Sequence, residues 1–329
     1  MIDVELVLNN NTNKVLFSLI GYGVHARRLE LLFKNIENIE LFKIYHPNNK
    51  NSQNITYTNI ISELYLSDAI LILSPPETHF EYLKILSTSY NGYIFCEKPP
   101  VLNTHHLNLL NKFKNKRKIF FNFNLRFSKL TELINKYFGK DCLFGEPTNI
   151  YVSVTHGLAF KKNYTSSWRA INDTDNILIK NVGIHYIDLF SYIFGDIKKI
   201  YIINNLKSGN GKNPDCSTLL VNINNKFSLS LYLSYSNPYS EKIIVYGTNG
   251  ILEINENNYK LSYPREIFDG EGFFASPPEY FYVYDSEYEY AESLYNSLFY
   301  FFDIVKEKKY FPKELFNLSI KSNKIMLKI

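Results

Sequence analysis

Residues 18–32 read SLIGYGVHARRLELL, and this stretch decides the fold. The apolar run Lys14 to Ile20 stops at Gly21-Tyr22-Gly23. Leu29, Leu32, Phe33 and Ile36 then recur at helical spacing. The order is strand, glycine turn, helix, and Gly21-x-Gly23-x-x-Ala26 has the form of a dinucleotide fingerprint with Ala in its third position. Gly21 permits the tight turn, Gly23 lets a pyrophosphate approach the backbone, and Ala26 lets the helix lie close on the strand. The helix N-terminus offers free N–H groups and partial positive charge. Tyr22, Val24 and His25 share the turn and belong to the same expected contact surface.

Outward from this loop, strands are expected at Leu41 to Tyr45, Ala69 to Leu73, Tyr93 to Cys96 and Ile119 to Phe123, with helices between them. That alternation predicts a doubly wound parallel sheet over residues 1–123. From 124 to 329 the rhythm changes. Strands at Ile150 to Val154, Leu219 to Ile223, Phe227 to Leu233, Ile243 to Tyr246 and Ile251 to Ile254 are joined by short turns at Asn224-Asn225 and Thr248-Asn249-Gly250. The second half therefore reads as an α+β domain with a large, mostly antiparallel open sheet. An apolar helix from Val182 to Phe194 interrupts it, and helices near 287–307 and 312–327 close the chain. The loop 205–215, NLKSGNGKNPD, is expected to be mobile.

The acidic residue that usually follows the glycine loop by about 20 positions is missing. His46 stands there, with Lys50 beyond it, so NAD and NADP both remain open.

The 329 residues suffice for two domains, and 45% hydrophobic and 21% charged residues are ordinary for a globular chain. Net charge is +4, and the densest basic run, Lys114 to Lys118, reads as a solvated turn; nucleic acid binding is not expected. Cys96, Cys142 and Cys216 are too scattered for a disulfide framework or a zinc cluster, and no metal is expected. No stretch reaches the ~18–20 apolar residues of a membrane span, and no signal peptide is visible. A cytoplasmic protein is expected.

Four blocks in order, the glycine loop, SPPETH (74–79), CEKPP (96–100) and VGIHYIDL (182–189), resemble the glucose-fructose oxidoreductase / inositol dehydrogenase (Gfo/Idh/MocA) family. SWRA (167–170) and YGTNGILEI (246–254) extend the resemblance over nearly the whole chain. It implies an NAD(P)-dependent oxidoreductase acting on a secondary hydroxyl or ketone of a sugar, with a nucleotide-linked precursor of a surface glycan as the favoured substrate. It implies that Glu97-Lys98-Pro99 lies where nicotinamide ends and substrate begins, with a cis Lys98–Pro99 bond. Lys98 then stabilises developing alkoxide, Glu97 neutralises charge or bonds a cofactor ribose, and His185 is the catalytic base. Ser74, Pro75, His79, Asn124, Trp168 and Arg169 fall at cofactor positions. Arg126, His156, Lys161 and Tyr164 fall near the substrate.

Asn181, His185 and Asp188, at i, i+4 and i+7, are expected on one helix face, with Asp188 orienting the imidazole. The family pattern has Asp where this chain has Asn181, so Lys98 loses a nearby anion. The glycine run that often precedes this motif is replaced by residues 173–176. The competing function is a cofactor-binding sensor or partner subunit with weakened catalysis. Phe227, Leu229, Leu231 and Leu233 lie on one sheet face and predict a homodimer or homotetramer packed sheet on sheet.

Overall fold

The computed structural model describes residues 14–47, 57–171 and 176–329. Two units result. The first holds the chain up to Glu97 together with Lys112–Asn122 and Leu298–Phe316. The second holds Lys98–Asn111, Phe123–Ser297 and Asn317–Ile329. A single cut after residue 123 therefore misplaces two segments, 98–111 and 298–316.

The first unit contains a parallel sheet of β1 (Val15–Ile20), β2 (Ile39–Tyr45), β3 (Tyr57–Thr58), β4 (Ala69–Ile72), β5 (Tyr93–Glu97) and β6 (Ile119–Asn122), in the order β3-β2-β1-β4-β5-β6. β4 and β6 are buried at every position, as strands covered on both faces must be. Strand order reverses between β1 and β4, the point beyond which open α/β sheets bind ligands. Part of the cover arrives from far along the chain: Phe302 meets Phe17, Phe301 meets Phe95 and Phe311 meets Phe120, each with ring centroids 5.3 Å apart. These contacts explain why 298–316 belongs to this unit. No local pattern reveals them.

The second unit contains β7 (Pro147–Thr155), β8 (Ile197–Asn205), β9 (Cys216–Ile223), β10 (Phe227–Ser234), β11 (Ser240–Gly247), β12 (Ile251–Ile254), β13 (Asn258–Ser262) and β14 (Glu279–Val283). Their order is β14-β13-β12-β11-β7-β10-β9-β8, antiparallel except where β7 meets β10. The β9–β10 turn is closed by Asn224 and Asn225 at φ 52° and 59°, the doubly left-handed turn that matches strand twist. Asn tolerates that region better than most side chains.

On β10 the residues Leu229, Leu231 and Leu233 are 0% exposed within one chain. Each such burial contributes roughly 1.5–3 kcal/mol. The helix Ile184–Phe194 supplies cover, with Phe194 edge-on to Phe227 at 5.2 Å. A β-carbon on Gly183 would lie 3.0 Å from Leu233, so the segment entering this helix approaches β10 closely. The face expected to await a second copy is thus already covered. The loop 205–215 is anchored as well: Asp215 accepts the N–H groups of Lys207 and Ser208, and Asn213 donates to the Arg169 carbonyl. Among the described residues no helix is long and apolar enough to cross a membrane.

Candidate functional site

The glycine loop has the geometry its residues predict. Gly21 adopts φ 89°, and a β-carbon there would fall 2.7 Å from the Ser74 Cα, so only glycine fits. A β-carbon on Gly23 would meet nothing within 4 Å. Space lies open over the second glycine, where a pyrophosphate needs it. The helix Val24–Phe33 starts there with no side-chain cap and no acidic residue in its first turn, and Val24 is 85% exposed. Its leading N–H groups remain available to an anion. Ala26 is fully buried. These residues fit a dinucleotide phosphate.

The neighbouring groups of the first unit are held by hydrogen bonds. Glu97 Oε1 lies 3.0 Å from His25 Nε2 and accepts from Asn122 Nδ2 at 2.7 Å. The Ser74 hydroxyl accepts from Thr78 at 2.7 Å, and Pro75 precedes the helix Pro76–Ser89. His79 is fully buried, with Nε2 2.9 Å from the Ser74 carbonyl. It shapes the Ser74-Pro75 turn from behind instead of facing a ligand. His46 continues β2, its N–H donating to Thr58. Lys50 lies outside the described residues.

The first residue of the second unit is Lys98, and its peptide bond to Pro99 is cis. The Lys98 ammonium donates to the Asn181 carbonyl at 2.8 Å. Asn181 sits in a π-helical turn, Ile179–Gly183, directly before the helix Ile184–Phe194. There the Ile184 N–H reaches back five residues to Ile179. Such wide turns loosen the helical ladder and often mark functional sites. The Asn181 side chain donates to the Tyr235 hydroxyl at 2.9 Å. Burial raises the Tyr235 pKa and keeps it a neutral phenol, although the Asn181 hydrogen bond and the nearby Arg169 charge pull the other way. His156 stacks on the Tyr235 ring at 4.8 Å, and Tyr164 stands edge-on to it at 6.4 Å. Burial, then the charges of Lys161 and Arg169, push the His156 pKa down.

From Gly183 to Ser191 every residue but His185 is buried, and His185 is partly exposed. Asp188 does not stand behind it. The Asp188 carboxylate takes a bidentate pair from Arg126, at 2.9 and 2.6 Å, and the Ser322 hydroxyl at 2.6 Å. Arg126, only 7% exposed, is accordingly a buried structural partner and not a substrate ligand. Asn124 is buried and donates to Ser293 at 2.7 Å, which ties down the same loop. Lys161 is exposed. The Trp168 side chain and residues 172–175 lie outside the described residues.

Residues 140–253 match the family model for the GFO/IDH/MocA C-terminal domain. Over this segment the chain is similar to that domain. The segment includes Arg169, Asn181, His185 and Tyr235, while Lys98 precedes it. Solved structures align with nearly all of the chain. A UDP-N-acetylglucosamine 3-dehydrogenase from Acidithiobacillus ferrooxidans has TM-score 0.76 at 14% identity, covering 96% of each chain. An oxidoreductase from Agrobacterium radiobacter, in complex with NAD+, L-tartaric acid and magnesium, has TM-score 0.74 at 14% identity, covering 94% of this chain and 93% of its own. A myo-inositol dehydrogenase from Corynebacterium glutamicum has TM-score 0.72 at 15% identity, covering 96% of each chain. At these identities the likeness is one of fold. No match was found among curated proteins.

Tyr235 is the residue the sequence reading missed. It lies within YLSYSNP (232–238), where alternation marks only a strand. Its one local signal is a tyrosine just past a strand end before Asn-Pro. What assigns it is contact with Asn181, 54 residues away.

Proposed function

We propose that the chain is a cytoplasmic NAD(P)-dependent oxidoreductase that moves a hydride to or from a secondary carbinol carbon of a sugar. A nucleotide-linked sugar destined for a surface glycan is the favoured substrate. The observation that carries the reading is the Lys98 ammonium fixed on the Asn181 carbonyl, in a unit that also presents His185. A nucleotide-sugar dehydrogenase among the structural relatives supports the substrate class.

The nicotinamide, when bound, supplies hydride acceptance or donation. Gly21, Gly23 and the uncapped helix start would hold its diphosphate. Lys98 stabilises negative charge on the reacting oxygen. His185 takes the hydroxyl proton during oxidation and returns it during reduction, so one proton and one hydride leave a carbinol and a ketone remains. Asn181 cannot take a proton; held by Tyr235, it positions. Proton transfer of this kind is worth roughly 10²–10⁴-fold.

A second reading is a cofactor-binding sensor or partner subunit. Asn181 in place of the family's Asp and His46 in place of the ribose-binding acid favour it. Calorimetric titration with NADH and NADPH, beside a Gly23→Val control, tests both. Binding lost in the control, followed by nicotinamide absorbance change with a nucleotide sugar, supports the enzyme. Binding without turnover of any sugar supports the sensor. No binding of either cofactor overturns both.

A further inference from the structure

The basic run Lys114 to Lys118 does not stand alone. In the first unit it adjoins a cleft of about 980 Å³ at the amino ends of β1, β4, β5 and β6. Lys14, Lys118, Lys306 and Lys308 line it. A smaller hollow that shares Asn91, Lys118 and Tyr310 continues it to Lys114 and Arg117. Asp68 is the one acid in either lining. Lys14 is paired with Glu40 at 3.1 Å, so six cations against Asp68 and Glu40 leave four positive charges here, while the whole chain carries +4. The rest of the molecule is therefore neutral on balance, and the positive field is concentrated in this cleft.

Two of the cations are fixed. The Lys118 ammonium donates to the Asn91 carbonyl at 2.6 Å and lies 5.3 Å from the Tyr93 ring centroid. Arg117 donates Nε to the Phe311 carbonyl at 3.2 Å and lies 5.1 Å from the Tyr310 ring centroid. That leaves its terminal amino groups for another acceptor. Tyr310 is 56% exposed, an aromatic surface backed by a cation. Lys114, Lys306 and Lys308 have no ion-pair partner among the described residues. Lys308 also holds φ 53°, a region glycine favours, so a lysine stands where the backbone would prefer none.

Helix ends do not account for this charge. The C-termini of the helices Pro76–Ser89 and Ser286–Lys306 reach this end of the unit. Each is worth about half a negative charge. Four positive charges exceed them several-fold. The glycine loop lies at the opposite, carboxyl end of β1, roughly 20 Å away along a six-residue strand.

We propose that this cleft is a second anion site that takes a nucleoside polyphosphate, its phosphates on Lys118, Arg117, Lys306 and Lys308 and its base on Tyr310. Its volume is of the order of small-molecule pockets, ~300–1,000 Å³. The site does not depend on the oxidoreductase reading, because none of its residues belongs to the glycine loop or the Lys98 cluster.

The test is equilibrium binding of ADP, and separately of inorganic triphosphate, to the full chain. Three variants are compared: Gly23→Val, Lys306→Glu with Lys308→Gly, and Tyr310→Ala. The expected result is binding that survives Gly23→Val and weakens at least about tenfold in the lysine pair. Tyr310→Ala is expected to weaken ADP but not triphosphate. Lys308→Gly suits the local backbone, so loss of fold does not confuse the outcome. Loss of all binding in Gly23→Val, unchanged binding in the lysine pair, or no binding of either probe would overturn the proposal. So would capture of single-stranded oligonucleotides in preference to ADP.

Discussion

The Lys98 ammonium rests on the backbone carbonyl of Asn181, 2.8 Å away, although the two residues stand 83 positions apart. A backbone carbonyl cannot be mutated away, so the lysine keeps its place whichever side chain position 181 carries. Lys98→Met is expected to lower kcat/KM by at least about 10²-fold, the scale of removing one charge-stabilising donor. Circular dichroism should be unchanged. Turnover within tenfold of the parent would remove Lys98 from the chemistry.

The Tyr235 hydroxyl accepts the Asn181 side chain, with the Arg169 charge acting on it. Tyr235→Phe keeps the ring against His156 and Tyr164 but strands the Asn181 donor. The expected cost is about 1–3 kcal/mol in urea unfolding, with a fall in kcat larger than any change in KM. Equal stability in the two proteins would show that the hydroxyl holds nothing.

Arg126 and Asp188 are buried together, with side chains 3% and 1% exposed. Breaking the pair leaves an uncompensated charge. Arg126→Met alone is expected to destabilise by about 3–5 kcal/mol, and Arg126→Met with Asp188→Leu to recover much of that. Chemical denaturation of the two single variants and the double variant measures the coupling. Simple additivity would contradict it.

The two loop glycines should respond oppositely. Gly21→Ala strains a φ of 89° and drives a methyl into Ser74, so the melting temperature should drop. At Gly23 an added β-carbon meets no protein atom within 4 Å, so Gly23→Val should leave melting nearly intact while abolishing dinucleotide binding. Thermal unfolding paired with calorimetry separates the two. A stable Gly21→Ala would mean the turn relaxes.

Glu241 accepts the Tyr186 hydroxyl at 2.8 Å, and burial, aided by the Glu256 charge, raises its pKa. A carboxyl raised on folding contributes stability below its unfolded value of about 4.3, and that contribution is lost as pH climbs through the folded value. Glu241→Gln should therefore gain on the parent as pH rises from about 4 to 7. Parallel pH–stability curves for the two proteins would refute this.

The glycine loop, the parallel strands and the hairpin at Asn224-Asn225 were all legible in the sequence. Each depends on side-chain type and spacing within about a dozen residues: apolar period, turn conformation, helix start. Partner choice was not legible. Asp188 was free on paper to serve His185, but Arg126, 62 residues away, and Ser322, 134 away, take its oxygens. Leu229, Leu231 and Leu233 had the alternation of an open face, yet the chain's own helix covers them. A buried charge settles on whichever partner packing delivers, and an apolar face on whichever element reaches it first. Both outcomes are set by segments distant in the chain, so the local sequence determined the elements and the tertiary structure decided which of their polar groups were left for chemistry.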